Sequence, residues 1–335
     1  MRRLALTVDG KLTYCTATPE NVGKGKCNHV SHQNLVESAE DFLTRIKSNE
    51  IKSNDYVIIH NNTSTKSTVN MLDGIQTKFY QDGKFIKLDL KNSSDLNKTQ
   101  RNGLSEEMCT KLLECSNLSF IPYKSCKINL NGSEYVGCYS RNILKDGESM
   151  VPVEHILSQG LYEKIETRET NNIDPYFDSL VNEVKDKTGY DCSSDLLKTI
   201  SFDILVLNGD RHLGNVNLIH GSDGWRFSPV FDNGEALMSD SIFDDCDEIN
   251  FWDREEEESP TTFGLSPMDD YFELITSRIK TKRDILQINK KKFEETINNY
   301  NNAFYDKRWV DRAKSIMLER LNEYEDILWI NNPNL

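Results

Sequence analysis

The sequence predicts an α+β fold of two lobes: a β-rich small lobe at residues 51–140 and a mainly helical large lobe at residues 141–335, preceded by a short N-terminal module at residues 1–50. A chain of 335 residues is long enough to bury a core in more than one compact unit. Strand-like runs joined by glycine-containing turns concentrate before residue 140, and apolar residues at helical spacing predominate after it.

A hairpin and a helix form the predicted N-terminal module. Leu4–Val8 and Leu12–Cys15 flank the turn Asp9-Gly10, and a helix is expected from about Leu35 to Ile46. The residue types that bind zinc also occur here, but at a spacing that matches no standard zinc finger. Two alternatives therefore remain for Cys15, Cys27, His29 and His32: they bind a metal ion, or they bind none and the cysteines are reduced thiols.

Turn signals separate the strands that are predicted for the small lobe. The strands are Asp55–His60, Lys84–Leu88 after Asp82-Gly83, and Lys124–Leu130 and Ser133–Tyr139 around Asn131-Gly132. Side chains alternate along a strand, so Lys87 should share a face with Phe85 and Asp89. A helix is expected to open at Ser105-Glu106-Glu107.

The large lobe is predicted to consist of amphipathic helices and one hairpin. The expected helices are His155–Lys164, Phe177–Lys187, a stripe formed by Leu196, Leu197, Ile200, Ile204 and Leu205, and several between Tyr271 and Trp329. Val216–His220 and Trp225–Phe231 flank a tight turn. Asp210 and Asn215 therefore lie in a loop between a helix and the hairpin, and Asp232 follows the hairpin.

These three polar residues are the set that phosphoryl transfer requires. That reaction needs a carboxylate to orient the attacking hydroxyl and oxygen ligands that hold magnesium against the phosphates. Asp210 lies five positions before Asn215, and Asp232 comes after a short hairpin, as in the kinase signature. The alternative is a polar loop whose Asp and Asn only cap turns, which leaves the hairpin and the second aspartate unexplained.

The segment D-R-H-L-G-N at 210–215, followed by D-N-G at 232–234, resembles the HipA-like serine/threonine kinases and, within them, the CtkA-type branch. It is also similar to the D-R-H-x-x-N loop of phosphatidylinositol kinases. Gly74-Ile75-Gln76-Thr77-Lys78 is similar to the G-x-Q-x-K phosphate loop of the HipA-like family. The sequence departs from ordinary protein kinases in having Asp-Asn-Gly in place of Asp-Phe-Gly, so their phenylalanine switch is not assumed.

The resemblance implies a two-lobed protein-kinase-like fold and an ATP- and Mg²⁺-dependent serine/threonine kinase, and it assigns roles to residues of this chain. Asp210 would be the catalytic residue, and Asn215 and Asp232 would bind magnesium. Lys87 would contact the phosphates, positioned by Glu106 or, as the second choice, by Glu107. Arg211 and His212 would brace the loop. Further nucleotide contacts are implied for the phosphate-loop residues Gly74, Gln76 and Lys78 and for the adenine hinge at Cys138 and Tyr139.

The resemblance also implies regulation and partners. HipA-like kinases are phosphorylated in or near the phosphate loop, which makes one group of hydroxyls candidates for autophosphorylation: Ser64, Thr65, Ser67, Thr68 and Thr77. A protein substrate and an antitoxin or regulatory partner are implied, as is a role as a toxin or effector.

Composition excludes several other classes. A net charge of -14 and a pI near 5.0 argue against direct nucleic-acid binding. No apolar run is long enough for a membrane span or signal peptide, and the eight scattered cysteines are expected to be reduced, which together predict a cytoplasmic protein. One rival class is a lipid kinase, but no basic amphipathic stretch suited to a membrane stands out. The other is a pseudokinase that serves as an interaction module, but the complete set of three oxygen-bearing residues argues against it.

Overall fold

The described part of the chain divides into two units, one built on an antiparallel sheet and one mainly helical. The sheet unit comprises residues 1–103 and 124–142, and the helical unit comprises residues 104–123 and 143–335. The computed structural model describes residues 3–6, 12–15, 78–81, 84–89, 100–130, 133–167, 172–239, 260–264, 266–279, 281, 284–325 and 329–331.

Several predictions fall outside these residues. They are the helix Leu35–Ile46, the strand Asp55–His60, the metal-ligand candidates Cys27, His29 and His32, the phosphate-loop residues Gly74 and Gln76, and the hydroxyls of Ser64, Thr65, Ser67, Thr68 and Thr77.

The described strands of the sheet unit lie close to where the sequence predicts them, except for Lys78–Gln81, which the sequence does not predict as a strand. They are β1 (Arg3–Leu6), β2 (Leu12–Cys15), β3 (Lys78–Gln81), β4 (Lys84–Leu88), β5 (Tyr123–Leu130) and β6 (Ser133–Arg141). β1 and β2 form an antiparallel hairpin, and the other four form one sheet in the order β3-β4-β6-β5. Ile86 and Leu88 form the small core on one face of β4, with Tyr139 packed against them.

The helical unit holds most of the described helices. They are α1 (Asn102–Leu113, which begins in the sheet unit), α2 (Val153–Ile156), α3 (Gln159–Glu166), α4 (Asp174–Thr188), α5 (Ser193–Val206), α6 (Met268–Arg278), α7 (Lys290–Asn298) and α8 (Lys307–Glu323). A three-stranded antiparallel sheet joins β7 (Ser149–Pro152), β8 (Asn217–Gly221) and β9 (Gly224–Phe227), and β10 (Leu286–Ile288) pairs in parallel with β11 (Trp329–Asn331).

Two features differ from the sequence-based expectation, and both depend on distant partners. Helix α1 begins at Asn102 rather than Ser105, because the carboxylate of Asp89 at the end of β4 accepts a 2.7 Å hydrogen bond from Gly103 N and satisfies the first turn. The segment predicted as helices alone contains β10, whose partner β11 lies about 40 residues further along the chain. A pattern read from the residues of α1 or of β10 alone therefore includes neither Asp89 nor β11.

Helix α5 is the buried element that leads into the candidate site. The five apolar residues of its predicted stripe are all buried, and its C-terminal flanking residue Leu207 has a left-handed backbone with φ of 55°. This conformation ends the helix, since an L-residue adopts it only singly. The helix therefore ends at Val206, and the loop that follows begins at the buried Asn208.

Gly137 on β6 is required for the close approach of β6 to β4. A Cβ atom built on Gly137 would lie 2.0 Å from the carbonyl oxygen of Lys87. We expect Gly137→Ala to destabilise the protein by about 1–3 kcal/mol, because the two strands must separate. Gly160→Ala is the matched control, since nothing lies within 4 Å of its added Cβ in α3. Urea unfolding measures both, and equal stabilities for the two variants would show that the strands are not tightly apposed at Gly137.

Candidate active site

The loop that follows α5 is held to the helix from its first residue. Asn208 Nδ2 donates a 2.9 Å hydrogen bond to Asp203 Oδ1, and Asp210 N donates to Asn208 Oδ1 at 3.4 Å. Asp203 and Asn208 are both buried. The backbone that carries Asp210 therefore starts from a position that the core of the helical unit determines.

Arg211 connects this loop to the segment around Asp232. Its guanidinium is 1% exposed, and Nε donates to both carboxylate oxygens of Asp203 at 3.2 and 3.0 Å. Nη1 donates to the carbonyl oxygens of Asn215 and Phe231 at 3.3 and 2.6 Å, and Nη2 donates to Asn233 Oδ1 at 2.6 Å. One buried side chain thus joins helix α5, the D-R-H loop and the D-N-G segment.

The charge of Arg211 is stabilised despite its burial. Burial alone would lower the pKa of the guanidinium, but the charge and hydrogen bonds of Asp203 raise it above the ordinary value, with smaller contributions from Asp232 and Glu106. Such a pair is costly to bury and strongly destabilising to break, because removing one partner leaves the other charge uncompensated. The carboxylate of Asp203 therefore favours the charged form of Arg211.

Asp210 and His212 face solvent on this loop. Their side chains are 49% and 47% exposed, and His212 Nε2 lies 3.9 Å from Asp210 Oδ1. His212 Nδ1 accepts a 3.1 Å hydrogen bond from Gly214 N. A Cβ on Gly214 would come within 2.7 Å of the imidazole, so this glycine lets the ring fold back over the loop.

Asn215 presents an oxygen that fits a magnesium ion. Its Nδ2 donates to the Asp210 carbonyl oxygen at 2.9 Å and lies 3.4 Å from Asp210 Oδ2. The carbonyl oxygen Oδ1 then has no hydrogen bond from the residues that the structure describes. An amide oxygen and a carboxylate, completed by phosphate oxygens and water, form a donor set that magnesium accepts.

Asp232 has a strained backbone that its neighbours maintain. Its φ is 57°, a left-handed conformation that is uncommon outside glycine, although Asp tolerates it better than most residues. The next residue is tied to α1: Asn233 N donates to Glu106 Oε2 at 3.0 Å, and Ser105 Oγ donates to the Asn233 and Ala236 carbonyl oxygens at 2.8 and 2.7 Å. Strain of this kind persists where surrounding contacts determine the conformation, which is typical of functional sites.

The two glutamates of α1 that the sequence offers as lysine partners have different surroundings. Glu106 is fully buried and accepts from Asn233 N, whereas Glu107 Oε2 accepts from Asn302 Nδ2 at 3.0 Å. Glu106 is thus the one that contacts the D-N-G segment. Its predicted pairing with Lys87 stays a prediction, since the two residues belong to different units.

Three of the candidate nucleotide contacts of the sheet unit lie in one row across three strands. Lys78 on β3 is paired with Lys87 on β4, and Lys87 is paired with Cys138 on β6. Lys87 is only 6% exposed, which is unusual for a lysine. Tyr139 lies on the opposite face, where its ring centroid is 4.8 Å from Lys84 Nζ. β6 continues to Arg141, so both hinge candidates lie within the strand.

Sequence reasoning missed Asp203 and Ser105. Asp203 is an acidic residue among buried apolar positions of α5, and a carboxylate on such a face indicates a buried cationic partner nearby. The sequence alone could therefore have predicted the pair, because Arg211 follows Asp203 by eight residues. Nothing local marks Ser105, whose acceptors are more than 120 residues away along the chain.

The antiparallel sheet unit, the helical unit and the buried connection between the D-R-H loop and the D-N-G segment define a protein-kinase-like α+β fold. The chain is similar to the crystal structure of CtkA, a proinflammatory kinase of Helicobacter pylori, with a TM-score of 0.53, 14% identity and coverage of 81% of this chain and 93% of that chain. The similarity confirms the predicted fold.

A structure of HipA from Shewanella oneidensis MR-1, in a complex with HipB and its operator DNA, is also similar, with a TM-score of 0.41, 14% identity and coverage of 86% of this chain and 71% of that chain. No protein-family model and no curated protein matches the chain. Among the described residues, no helix is both long and apolar enough to cross a membrane.

Proposed function

We propose that this protein is an ATP- and magnesium-dependent serine/threonine protein kinase of the HipA-like type. The observation that carries the proposal is the set of hydrogen bonds from Arg211 to Asn215, Phe231 and Asn233, because it joins the residues on either side of the hairpin into one arrangement. Phosphoryl transfer depends on such positioning more than on covalent chemistry by the protein. The exposure of Asp210 also suits contact with a protein substrate.

Each residue of the site would have a separate task. A serine or threonine oxygen forms a bond to the γ-phosphorus of ATP, the bond from that phosphorus to the β–γ bridging oxygen breaks, and ADP leaves. Asp210 orients the attacking hydroxyl and accepts its proton. Asn215 and Asp232 would hold magnesium, which when bound neutralises charge on the phosphates. Arg211 holds the D-R-H loop and the D-N-G segment together and would contact no reacting atom.

Lys87 is proposed to contact the α and β phosphates, and its mutation should weaken nucleotide binding. We expect Lys87→Ala to lose most of the nucleotide-induced rise in Tm, because a ligand stabilises only the state that binds it. Glu106→Ala should have a smaller effect on that rise. Lys84→Ala is the matched control on the same strand, since its ammonium lies over Tyr139 on the other face. A normal shift in Lys87→Ala, with a normal shift in the control, would transfer the role to Lys78, which is paired with Lys87 on the neighbouring strand.

Autophosphorylation is proposed for the hydroxyls at positions 64–77, and it should be inhibitory. A phosphate adds about -1.5 to -2 charge at pH 7, where it would repel the phosphates of ATP. Thr77 lies in the G-x-Q-x-K match itself and should inactivate most strongly when modified. Mass spectrometry after treatment with ATP and magnesium, with Asp210→Ala as the inactive control, locates the phosphate. The absence of phosphate between residues 61 and 80, or unchanged ATP affinity of the modified form, would refute this regulation.

A further inference from the structure

The middle residue of the Asp-Asn-Gly segment is bonded on three sides. Asn233 is 1% exposed, its N–H donates to Glu106 Oε2 at 3.0 Å, and its carbonyl oxygen accepts from Ser105 Oγ at 2.8 Å. Its side-chain Oδ1 accepts from Arg211 Nη2 at 2.6 Å. Ordinary protein kinases have phenylalanine at this position, and its packing sets their active and inactive states. Asn233 instead connects α1 to the cation that holds the D-R-H loop.

Asparagine suits this position better than an apolar or an acidic residue. An apolar side chain would leave one N–H group of a buried guanidinium without an acceptor, which is unfavourable. An aspartate would keep the acceptor but add a carboxylate to a region that already holds Asp203, Glu106 and Asp232 around a single guanidinium. The amide oxygen supplies the acceptor without the charge.

The three bonds also restrain the residue before them. Asp232 is in the left-handed conformation. The carbonyl oxygen of the preceding residue, Phe231, accepts a hydrogen bond from Arg211, and the following residue, Asn233, is bonded to Arg211 and to α1. A rotation of the segment that moved Asp232 away would break the bonds of Asn233 together. Linked hydrogen bonds in a buried polar network strengthen one another, so these bonds are expected to be lost together.

We propose that Asn233 is a positioning residue for the magnesium site: by joining Arg211 to α1 it holds Asp232 in the orientation that binds metal, in place of a phenylalanine switch. The inference rests on the proposed function, since it concerns the metal that this function uses. It predicts a loss of metal affinity when only the Oδ1 acceptor is removed, because outer-shell partners orient the groups that ligate the ion.

The test is the affinity of the full chain for Mn²⁺, measured by electron paramagnetic resonance with a non-hydrolysable ATP analogue present. Manganese accepts the same carboxylate and carbonyl oxygens as magnesium. Asn233→Leu has the same branched shape, with methyl groups in place of the amide oxygen and nitrogen, and keeps the backbone bonds, and it should bind Mn²⁺ about 10–100-fold more weakly. Asn233→Asp keeps the oxygen acceptor but adds a charge, so it should recover part of the affinity and bind Mn²⁺ more tightly than Asn233→Leu does. Asn289→Ala, which removes another buried asparagine whose Oδ1 accepts one hydrogen bond, should bind as wild type does.

The outcomes separate this inference from the proposed function. If the wild type binds Mn²⁺ but transfers no phosphate, the proposed function fails. The Mn²⁺ affinities of the Asn233 variants then still decide whether Asn233 positions the metal site. If the wild type transfers phosphate but Asn233→Leu binds Mn²⁺ normally, the positioning role alone is wrong. It is also wrong if the wild type binds no Mn²⁺, or if Asn233→Asp is as weak as Asn233→Leu. Asn233→Ser, whose hydroxyl cannot reach Arg211, carries the same expectation as Asn233→Leu and replaces it if that variant does not fold.

Discussion

Asp210→Asn should lower the rate of phosphoryl transfer by about 10²–10⁴-fold, the usual contribution of a positioned general base. The amide keeps the shape of the side chain but cannot accept the proton of the attacking hydroxyl. Asp232→Asn should cause a comparable loss, because one of the two proposed magnesium ligands loses its charge. Asparagine tolerates the left-handed backbone at position 232, so this substitution avoids the strain that alanine would add.

Two further measurements separate these roles. Asp210→Asn should keep the full nucleotide-induced rise in Tm, whereas Asp232→Asn should lose the part of that rise that depends on magnesium. Asp223→Asn, in the exposed turn of the β8–β9 hairpin, is the matched control and should transfer phosphate as the wild type does. Activity near that of the wild type in either site variant would remove the corresponding residue from the mechanism.

Arg211→Ala should destabilise the protein by about 3–5 kcal/mol, the cost of leaving a buried carboxylate without its partner. The fully buried Asp203 accepts three hydrogen bonds from this guanidinium, at 3.0–3.2 Å. Arg308→Ala is the control, because its partner Asp306 is half exposed and such a surface pair contributes about 0–1 kcal/mol. Chemical denaturation gives both values.

A double variant distinguishes the charge of Arg211 from its positioning role. Asp203→Leu combined with Arg211→Met removes both buried charges and should recover part of the lost stability. Phosphoryl transfer should not recover, because Phe231 and Asn233 would still lack the donor that joins them to the loop. If activity returns with stability, Arg211 acts only through the fold. If Arg211→Ala is as stable as Arg308→Ala, the ion pair with Asp203 is not buried as described.

The parts of the fold that sequence predicts best are those specified by local patterns. The stripe of α5, the β5–β6 strands around Asn131-Gly132 and the β8–β9 hairpin each combine periodic apolar residues with a turn signal, and their boundaries agree with the structure to within a few residues. The strand β7 was missed because it is short and partly exposed, and its pairing with β8 links segments about 70 residues apart.

The candidate site was predictable in its residue types but not in its connections. Asp210, Asn215 and Asp232 follow from motif spacing, whereas the bonds of Ser105 and Glu106 to Asn233 join segments more than 120 residues apart. Spacing along the chain cannot specify which of two adjacent glutamates turns toward the D-N-G segment. Tertiary packing decides that, and it selects Glu106.

The central claim, that this site transfers the γ-phosphoryl group of ATP, is tested most directly by incubating the purified chain with γ-labelled ATP and magnesium, alone and with a general phosphoacceptor protein. The claim predicts magnesium-dependent label on serine or threonine in the chain or the acceptor, and none with folded Asp210→Asn. Equal label in the wild type and Asp210→Asn, or none in a wild type that binds ATP and magnesium, would contradict it.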